Sequence, residues 1–275
     1  MIELPEAHTL ARQLRETVLG RRITKVVANA SPHKFAFFGG DPEAFDPALA
    51  GRVFDDARRF GGMVELTAGQ VAVVFSDGAN LRWLAPGTKV PAKHQLAIWF
   101  DDGGALVATV SMYAQLSLAP TGALDTPYYR VARAKPCPLT AAFDRPWFDA
   151  ILAEAKPTIS AKAVLATEQR VPGLGNGVLQ DILFAARIHP RSRLGALGAD
   201  ERDRMFDAVK TTLVRMTDLG GRDTEKDLFG QPGGYQTILS AKTVSLPCHV
   251  CGGGIVRQAY LGGNVYFCPT CQPQR

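Results

Sequence analysis

VPGLGNGVLQDILFAARIHP, residues 171–190, is the stretch on which the reading of this chain turns. Gly173, Gly175, Gly177 and Asn176 make a tight turn that leads straight into an apolar helix pattern. Free backbone N–H groups at such a turn form an anion nest, and the helix dipole favours negative charge there. The Asn176 amide can donate to the same anion. Glycine-rich turns between helices usually serve packing alone. Here three companions favour the anion: Lys162 upstream, a basic second half, and a cysteine cluster behind.

Working outward, the C-terminus holds Cys248-x-x-Cys251 and, after sixteen residues, Cys268-x-x-Cys271. Two such hooks supply four thiolates that close a tetrahedron around one structural zinc ion, with no open position for catalysis. The intervening residues suit one β-hairpin, GIVRQAY (254–260) and NVYF (264–267), turned at Leu261-Gly262-Gly263. His249 reads as a neighbour of the site and not a ligand. Cys137 stands alone and reads as an inert thiol.

The 275 residues divide in charge. Residues 1–125 carry 12 basic and 13 acidic side chains; residues 126–275 carry 19 and 13. The basic half suits a polyanion, or is simply a well-solvated surface. No apolar run approaches membrane-spanning length and no secretory leader is visible, so cytoplasmic residence is the expected default.

Residues 7–19 read as an amphipathic helix stopped at Gly20. Strand-like runs follow at 23–28, 63–68, 71–75, 96–100 and 105–110, with a hairpin at Asp101-Asp102-Gly103-Gly104 and a turn at Ser76-Asp77-Gly78. The proline-bearing stretch 120–139 reads as a linker. Helical patterns then cover 140–155, 160–169, 177–188 and 200–219, and 222–236 reads as a loop. The expected fold is therefore α+β. A leading helix and β-sandwich span 1–125, a helical domain spans 126–240, and a zinc finger spans 241–275.

Together these features resemble the formamidopyrimidine-DNA glycosylase / endonuclease VIII family, most closely a bacterial endonuclease VIII-like branch. GLGNG with LFAARIHP resembles the family's helix–two-turn–helix, the four cysteines its zinc finger, and Glu3-Leu4-Pro5-Glu6 its N-terminal signature. Lys162, fourteen residues before Asn176, matches its phosphate-binding lysine. The resemblance implies double-stranded DNA, damaged or abasic, held in the cleft between two domains by a monomer. It implies a base-excision glycosylase that flips out a damaged base and cleaves its N-glycosidic bond, with an AP-lyase step through an amine. A catalytically silent damaged-DNA binder of the same fold is the alternative. A zinc ribbon acting on RNA or protein would leave GLGNG, Lys162 and the Glu3/Glu6 opening without a role.

The expected catalytic residues are Glu3, Ile2, Met1 and Glu6. The family's amine is an N-terminal proline, suited to attack at C1′ by a pKa near 8. Here that place is Ile2, before which methionine is usually retained. The Met1 amine then lies one residue, roughly 3.8 Å, from the family position. Glu3 alone can instead activate water. Glu6 either serves the amine or caps the first helix. The expected DNA contacts are Asn176, Lys162, Gly175, Lys93, His94 and Asn264; Lys93-His94 read equally as a solvated strand end. By the same resemblance a hairpin lysine is replaced near Phe60, a void-filling methionine near Asp77, and a finger arginine at Gly263. Met112, Tyr113 and Gln115 take the place of an Arg/Phe wedge. Phe35, Phe37 and Phe38 are either base-stacking rings or core.

Overall fold

The computed structural model describes residues 1–275. Helix α1 (Leu4–Val18) starts three residues earlier than the apolar pattern alone predicts. Pro5 allows this, because a first-turn proline lacks only an N–H that the helix start leaves unpaired anyway. Leu10, Leu14 and Val18 then line the buried face. The head of α1 is shared between two cores: Ile2 packs into the β-domain, and Leu4 into the helical domain. The residues on either side of Glu3 thus pin it at the seam.

The β-domain runs β1 (Ile23–Ala28), β2 (Ala36–Gly39), a short α2 (Phe45–Leu49), β3 (Asp56–Phe60), β4 (Met63–Ala68), β5 (Val71–Ser76), β6 (Ala79–Leu84), β7 (Leu96–Phe100), β8 (Ala105–Val110) and β9 (Ala114–Pro120). It forms two sheets, ordered β1-β7-β8-β6 and β2-β9-β5-β4-β3. Phe54, Phe75, Leu81 and Leu106 fill one core between them. The expected sandwich is present. All five strand-like runs are strands, and β2, β3, β6 and β9 are added by pairing.

Asp101–Gly104 joins β7 to β8 as the expected hairpin. The Ser76-Asp77-Gly78 turn does something different: β5 and β6 lie in different sheets, so it carries the chain across the sandwich. The β8–β9 connection makes the return crossing. The crossings are bonded to each other, with the Gly78 N–H donating to the Tyr113 carbonyl at 3.0 Å and the Ser111 N–H to the Gly78 carbonyl at 3.3 Å. A Cβ on Gly78 would strike the Met112 carbonyl, so glycine is what lets the turns touch.

The stretch 120–139 is not a plain linker. It finishes β9 and then forms α3 (Pro127–Ala134), capped by the Thr126 hydroxyl. Tyr129 on α3 is buried and donates its hydroxyl to Glu65 on β4, which a mobile linker would not do. Four more helices follow: α4 (Arg145–Glu154), α5 (Ala161–Ala166), α6 (Asn176–Ala185) and α7 (Ala199–Asp218). Phe148, Leu179, Leu183 and Val209 join them in a second core. Helix α5 is shorter than predicted, because Glu168 and Gln169 adopt left-handed backbone at φ 56° and 50°.

The 222–236 loop carries no helix or strand but works as a strap back to the first domain. Leu228 joins the β-domain core, its N–H donates to Gln13 at 3.0 Å, and the Gln13 amide donates to Asp227 at 2.7 Å. Strands β10 (Val256–Tyr260) and β11 (Gly263–Phe267) form the predicted hairpin. A third small core of Phe184, Leu239 and Tyr266 seats it on the end of α6. No helix is long and apolar enough to cross a membrane.

Candidate functional site

Glu3 has its carboxylate committed to a different helix from the one it begins. One oxygen accepts the Gly177 N–H and the other the Val178 N–H, each at 2.8 Å, at the start of α6. The anion nest expected at GLGNG is therefore not free for an outside anion: the chain's own carboxylate fills it. The physical reason is reciprocal need. Glu3 is buried, and a buried carboxylate must find donors; the α6 N-terminus has unpaired N–H groups and the favourable end of its dipole.

The motif's glycines make room for this arrangement. A Cβ on Gly175 would strike the Glu3 carboxylate, and one on Gly177 would land on the Arg222 guanidinium. Gly173 has φ 78° and presses against the backbone of Gly61 and Gly62 in the β3–β4 turn, so the two domains meet backbone to backbone.

Arg222 is the residue that sequence reasoning missed. It is buried to 3% exposure and spans both N-terminal carboxylates. It donates to Glu6 from Nε at 3.0 Å and from a terminal nitrogen at 2.8 Å, and its guanidinium lies 3.7 Å from Glu3. Its backbone N–H also reaches Glu6 at 3.1 Å. In the sequence it is one arginine in a charged loop, and the only hint was the pair of carboxylates lacking a cation. Glu6 takes the helix-capping position and makes no contact with the Met1 amine, which pairs with Glu225. It accepts the Glu3 N–H at 3.2 Å, as a helix-capping acid would, and it anchors Arg222 beside the chain's amine.

The two carboxylates titrate in opposite directions. Burial raises Glu3, and the neighbouring Glu6 charge adds to it, with Arg222 offsetting only part. Burial pushes Glu6 up as well, but the Arg222 charge and its hydrogen bonds overcome this and hold Glu6 below the ordinary range. The same acids keep Arg222 firmly cationic despite its burial.

The Met1 amine is ion-paired with Glu225, and the Ile2 N–H donates to the Asp77 carbonyl at 2.7 Å. These groups face a cavity of about 360 Å³, lined among others by Met1, Glu3, Asp77, Gly175 and Asn176. Ile2 lines it too, but its side chain is core, so it contributes position and no chemistry. Asp77 sits at φ 43° on the turn between the sheets. Its side chain is open to solvent yet walled by the cleft. That desolvation raises its carboxyl above the ordinary range, and the Met1 amine opposes the rise.

Asn176 and Lys162 lie where α5 and α6 meet the finger. The Asn176 amide donates to the Asn264 carbonyl at 3.0 Å, while its own oxygen is buried without a partner. Lys162 is buried and donates to the Tyr260 carbonyl at 2.6 Å, so one of its three N–H groups ties the hairpin down. Asn264 takes part through its backbone oxygen, which Gln180 also reaches at 3.2 Å. Lys93 and His94 lie in the β6–β7 connection and line neither this cavity nor the hollow beside it. Lys93 is exposed, and the His94 Nε2 has no partner.

Cys248, Cys251, Cys268 and Cys271 bring their sulfurs within 4.8 Å of one another. Four sulfurs about 2.3 Å from one ion stand about 3.8 Å apart. Cys248 and Cys271 are 3.8 Å apart, and Cys251 and Cys268 3.5 Å, so the set fits a tetrahedral metal ion. The His249 ring packs on Phe184 and is not among the ligand atoms. Buried Gln272 fixes the finger from below, accepting the Cys268 N–H at 3.0 Å and donating to the Ile188 carbonyl at 2.9 Å.

The model of the formamidopyrimidine-DNA glycosylase N-terminal domain matches residues 1–111. A formamidopyrimidine-DNA glycosylase of Symbiobacterium thermophilum is 32% identical, covering 99% of this chain and 90% of the relative. One from Streptococcus pyogenes is 28% identical over the full length of both. Among solved structures, the MutM (Fpg) protein of Thermus thermophilus superposes with a TM-score of 0.83 at 26% identity, over 99% of each chain. Lactococcus lactis Fpg, solved in complex with abasic-site DNA, shares the fold with a TM-score of 0.84, over 99% of this chain and 100% of that one.

Proposed function

The chain belongs to the formamidopyrimidine-DNA glycosylase family, and from that premise we propose how it works as a base-excision DNA glycosylase on damaged duplex DNA. The observation that carries the mechanism is the Glu3 carboxylate, fixed at the α6 N-terminus on the wall of a cavity of about 360 Å³ between the domains. The flipped nucleotide enters that cavity. As its N-glycosidic bond breaks, the electron pair leaves with the base, which takes a proton from solvent; the proton that Glu3 next receives is returned there. Water adds to C1′ and gives its proton to the Glu3 carboxylate. Glu6 and Arg222 hold Glu3 in place.

Hydrolysis is favoured over attack by the amine. The Met1 amine is held in an ion pair with Glu225, and it lies one residue before the position that bears the family's attacking amine. Asn176 and Lys162, each with N–H donors left over, supply the phosphate grip beside the finger, with the Gly175 and Asn264 backbone positioning them, and exposed Lys93 with His94 extends it along the β-domain. Residues 1–125 carry the chemistry, 126–240 the grip, and 241–275 the finger. The metal at the four cysteines is a single structural zinc, a reading supported by an all-sulfur donor set of the right span. It supplies stability and positions the hairpin. The protein acts as a monomer in the bacterial cytoplasm, at the nucleoid.

The test uses duplexes carrying 8-oxoguanine, an oxidised pyrimidine or an abasic site. Release of free base is expected from a damaged duplex, and no covalent adduct is expected after borohydride treatment of abasic DNA. An adduct would replace hydrolysis with amine catalysis. No release from any lesion, alongside tighter binding of lesion DNA, would leave the silent binder. An intact-mass measurement identifies the residue bearing the amine.

A further inference from the structure

Three acids line the cavity at the seam: Glu3, Asp77 and Glu168. Two of them have partners. Glu3 accepts the Gly177 and Val178 N–H groups, and Glu168 is paired with Arg170. The Asp77 carboxyl has neither a hydrogen bond nor an ion pair. The Met1 amine is the one charge that acts on it, and that amine is itself paired with Glu225. No lysine, arginine or histidine lines the cavity, and the remaining titratable group on its wall is the Tyr128 phenol. The backbone fixes where Asp77 stands. Its carbonyl accepts the Ile2 N–H at 2.7 Å, which sets it beside the residue that precedes Glu3. Its φ of 43° is left-handed, a conformation that aspartate and asparagine tolerate better than most side chains. The turn thus accounts for either residue. It does not account for an acid left without a partner on the cavity wall.

We propose that Asp77 is the general acid of base release, giving its carboxyl proton to the carbonyl oxygen beside the glycosidic nitrogen of the leaving base. The proposal rests on the hydrolytic glycosylase reading and supplies the route by which a solvent proton reaches the base. Position selects the atom. Glu3 serves C1′, and the oxygen on the ring carbon next to the glycosidic nitrogen lies close to C1′, so an acid beside Glu3 is placed to reach it. 8-Oxoguanine carries that oxygen as O8, and oxidised pyrimidines carry it as O2. The surroundings divide the labour between the two acids. Two N–H donors favour the charged form of Glu3, which suits a base. Desolvation without a donor favours the neutral form of Asp77, which suits an acid. Bound DNA adds phosphate charge and expels water, and both push Asp77 further the same way. In the step, the Asp77 O–H bond breaks, an O–H bond forms on the base, and the C1′–N electron pair leaves with the base. Asp77 is left as a carboxylate beside the Met1 amine. Its side chain is open to solvent, from which it regains the proton once product departs.

The experiment measures single-turnover base release by wild type and Asp77→Asn between about pH 5 and 9. The substrates are duplexes carrying 8-oxoguanine or an oxidised pyrimidine. Asparagine suits the left-handed turn and keeps the shape of the side chain, but it has no proton to give. Release is expected to slow about a hundredfold or more on each lesion that wild type excises, with affinity for lesion DNA within about threefold of wild type. The wild-type rate is expected to fall as pH rises through the titration of the acid, and the Asn variant to lack that limb. A residue that only shapes the turn would leave the limb in place. Release by the Asn variant within about threefold of wild type, or an alkaline limb that persists in it, overturns the proposal and leaves the glycosylase reading standing. Slowing on one lesion only, where wild type excises both, overturns the assignment to the shared oxygen. No release by wild type from either lesion overturns the glycosylase reading and this proposal with it. If the Asn variant loses its thermal midpoint, Asp77→Gly, which a left-handed turn accepts without strain, carries the same comparison.

Discussion

Glu6 and Arg222 form a hydrogen-bonded, buried ion pair at the site, with side chains 7% and 3% exposed. Such a pair stabilises little against an apolar substitute, but breaking it strands a charge. Glu6→Gln should therefore lower unfolding stability by about 3–5 kcal/mol in denaturant titrations. A loss below about 1 kcal/mol would mean that Arg222 finds another counter-charge in Glu225. The pH dependence has a definite sign. Glu6 is held below its ordinary 4.5, so its contribution is complete above that value and is lost as pH falls through the lower folded one. Glu3 is held above 4.5, so its contribution is present below that value and is lost as pH rises through the raised one. Removing the Glu6 charge should flatten the acid limb of the stability profile, which urea midpoints at several pH values would reveal.

At the scale of elements, α6 is the hub. Its N-terminus receives Glu3, its first turn meets the finger through Asn176 and Gln180, and its far end packs on Tyr266 and Cys248 through Phe184. The hairpin is only two strands with a core of five buried residues, too few to stand alone. Its order is therefore expected to depend on a metal held by the four cysteines. Chelation of the ion should unfold residues 248–271 locally, leaving the sandwich circular-dichroism signal intact and DNA affinity greatly reduced. Re-addition of zinc should restore both. Unchanged hydrogen exchange across the finger after chelation would contradict that dependence. Both CxxC hooks and the hairpin were legible because they are short-range patterns whose geometry follows from spacing. The helix α3 was not, because its prolines masked it and only Tyr129 packing against β4 shows why it forms.

Across the whole molecule, the neutral sandwich and the basic helical half face a common cleft. Binding to duplex DNA should lose affinity linearly in log salt, by about 0.9 per phosphate neutralised. A slope shallower than about −2 in fluorescence-anisotropy titrations would leave no room for a backbone grip. The sequence by itself determined the family, the α+β fold and the cluster of four cysteines at metal-binding spacing, because local periodicity and motif spacing carry them. Only the tertiary structure decided what those residues do to one another. The Glu3 bond to α6 spans 174 residues and the Glu6–Arg222 pair 216. Two sheets had to be joined at Asp77 before its carboxyl could face the Glu3 cavity. Such contacts arise from packing two cores against one seam, and no local pattern encodes which distant charge will arrive there.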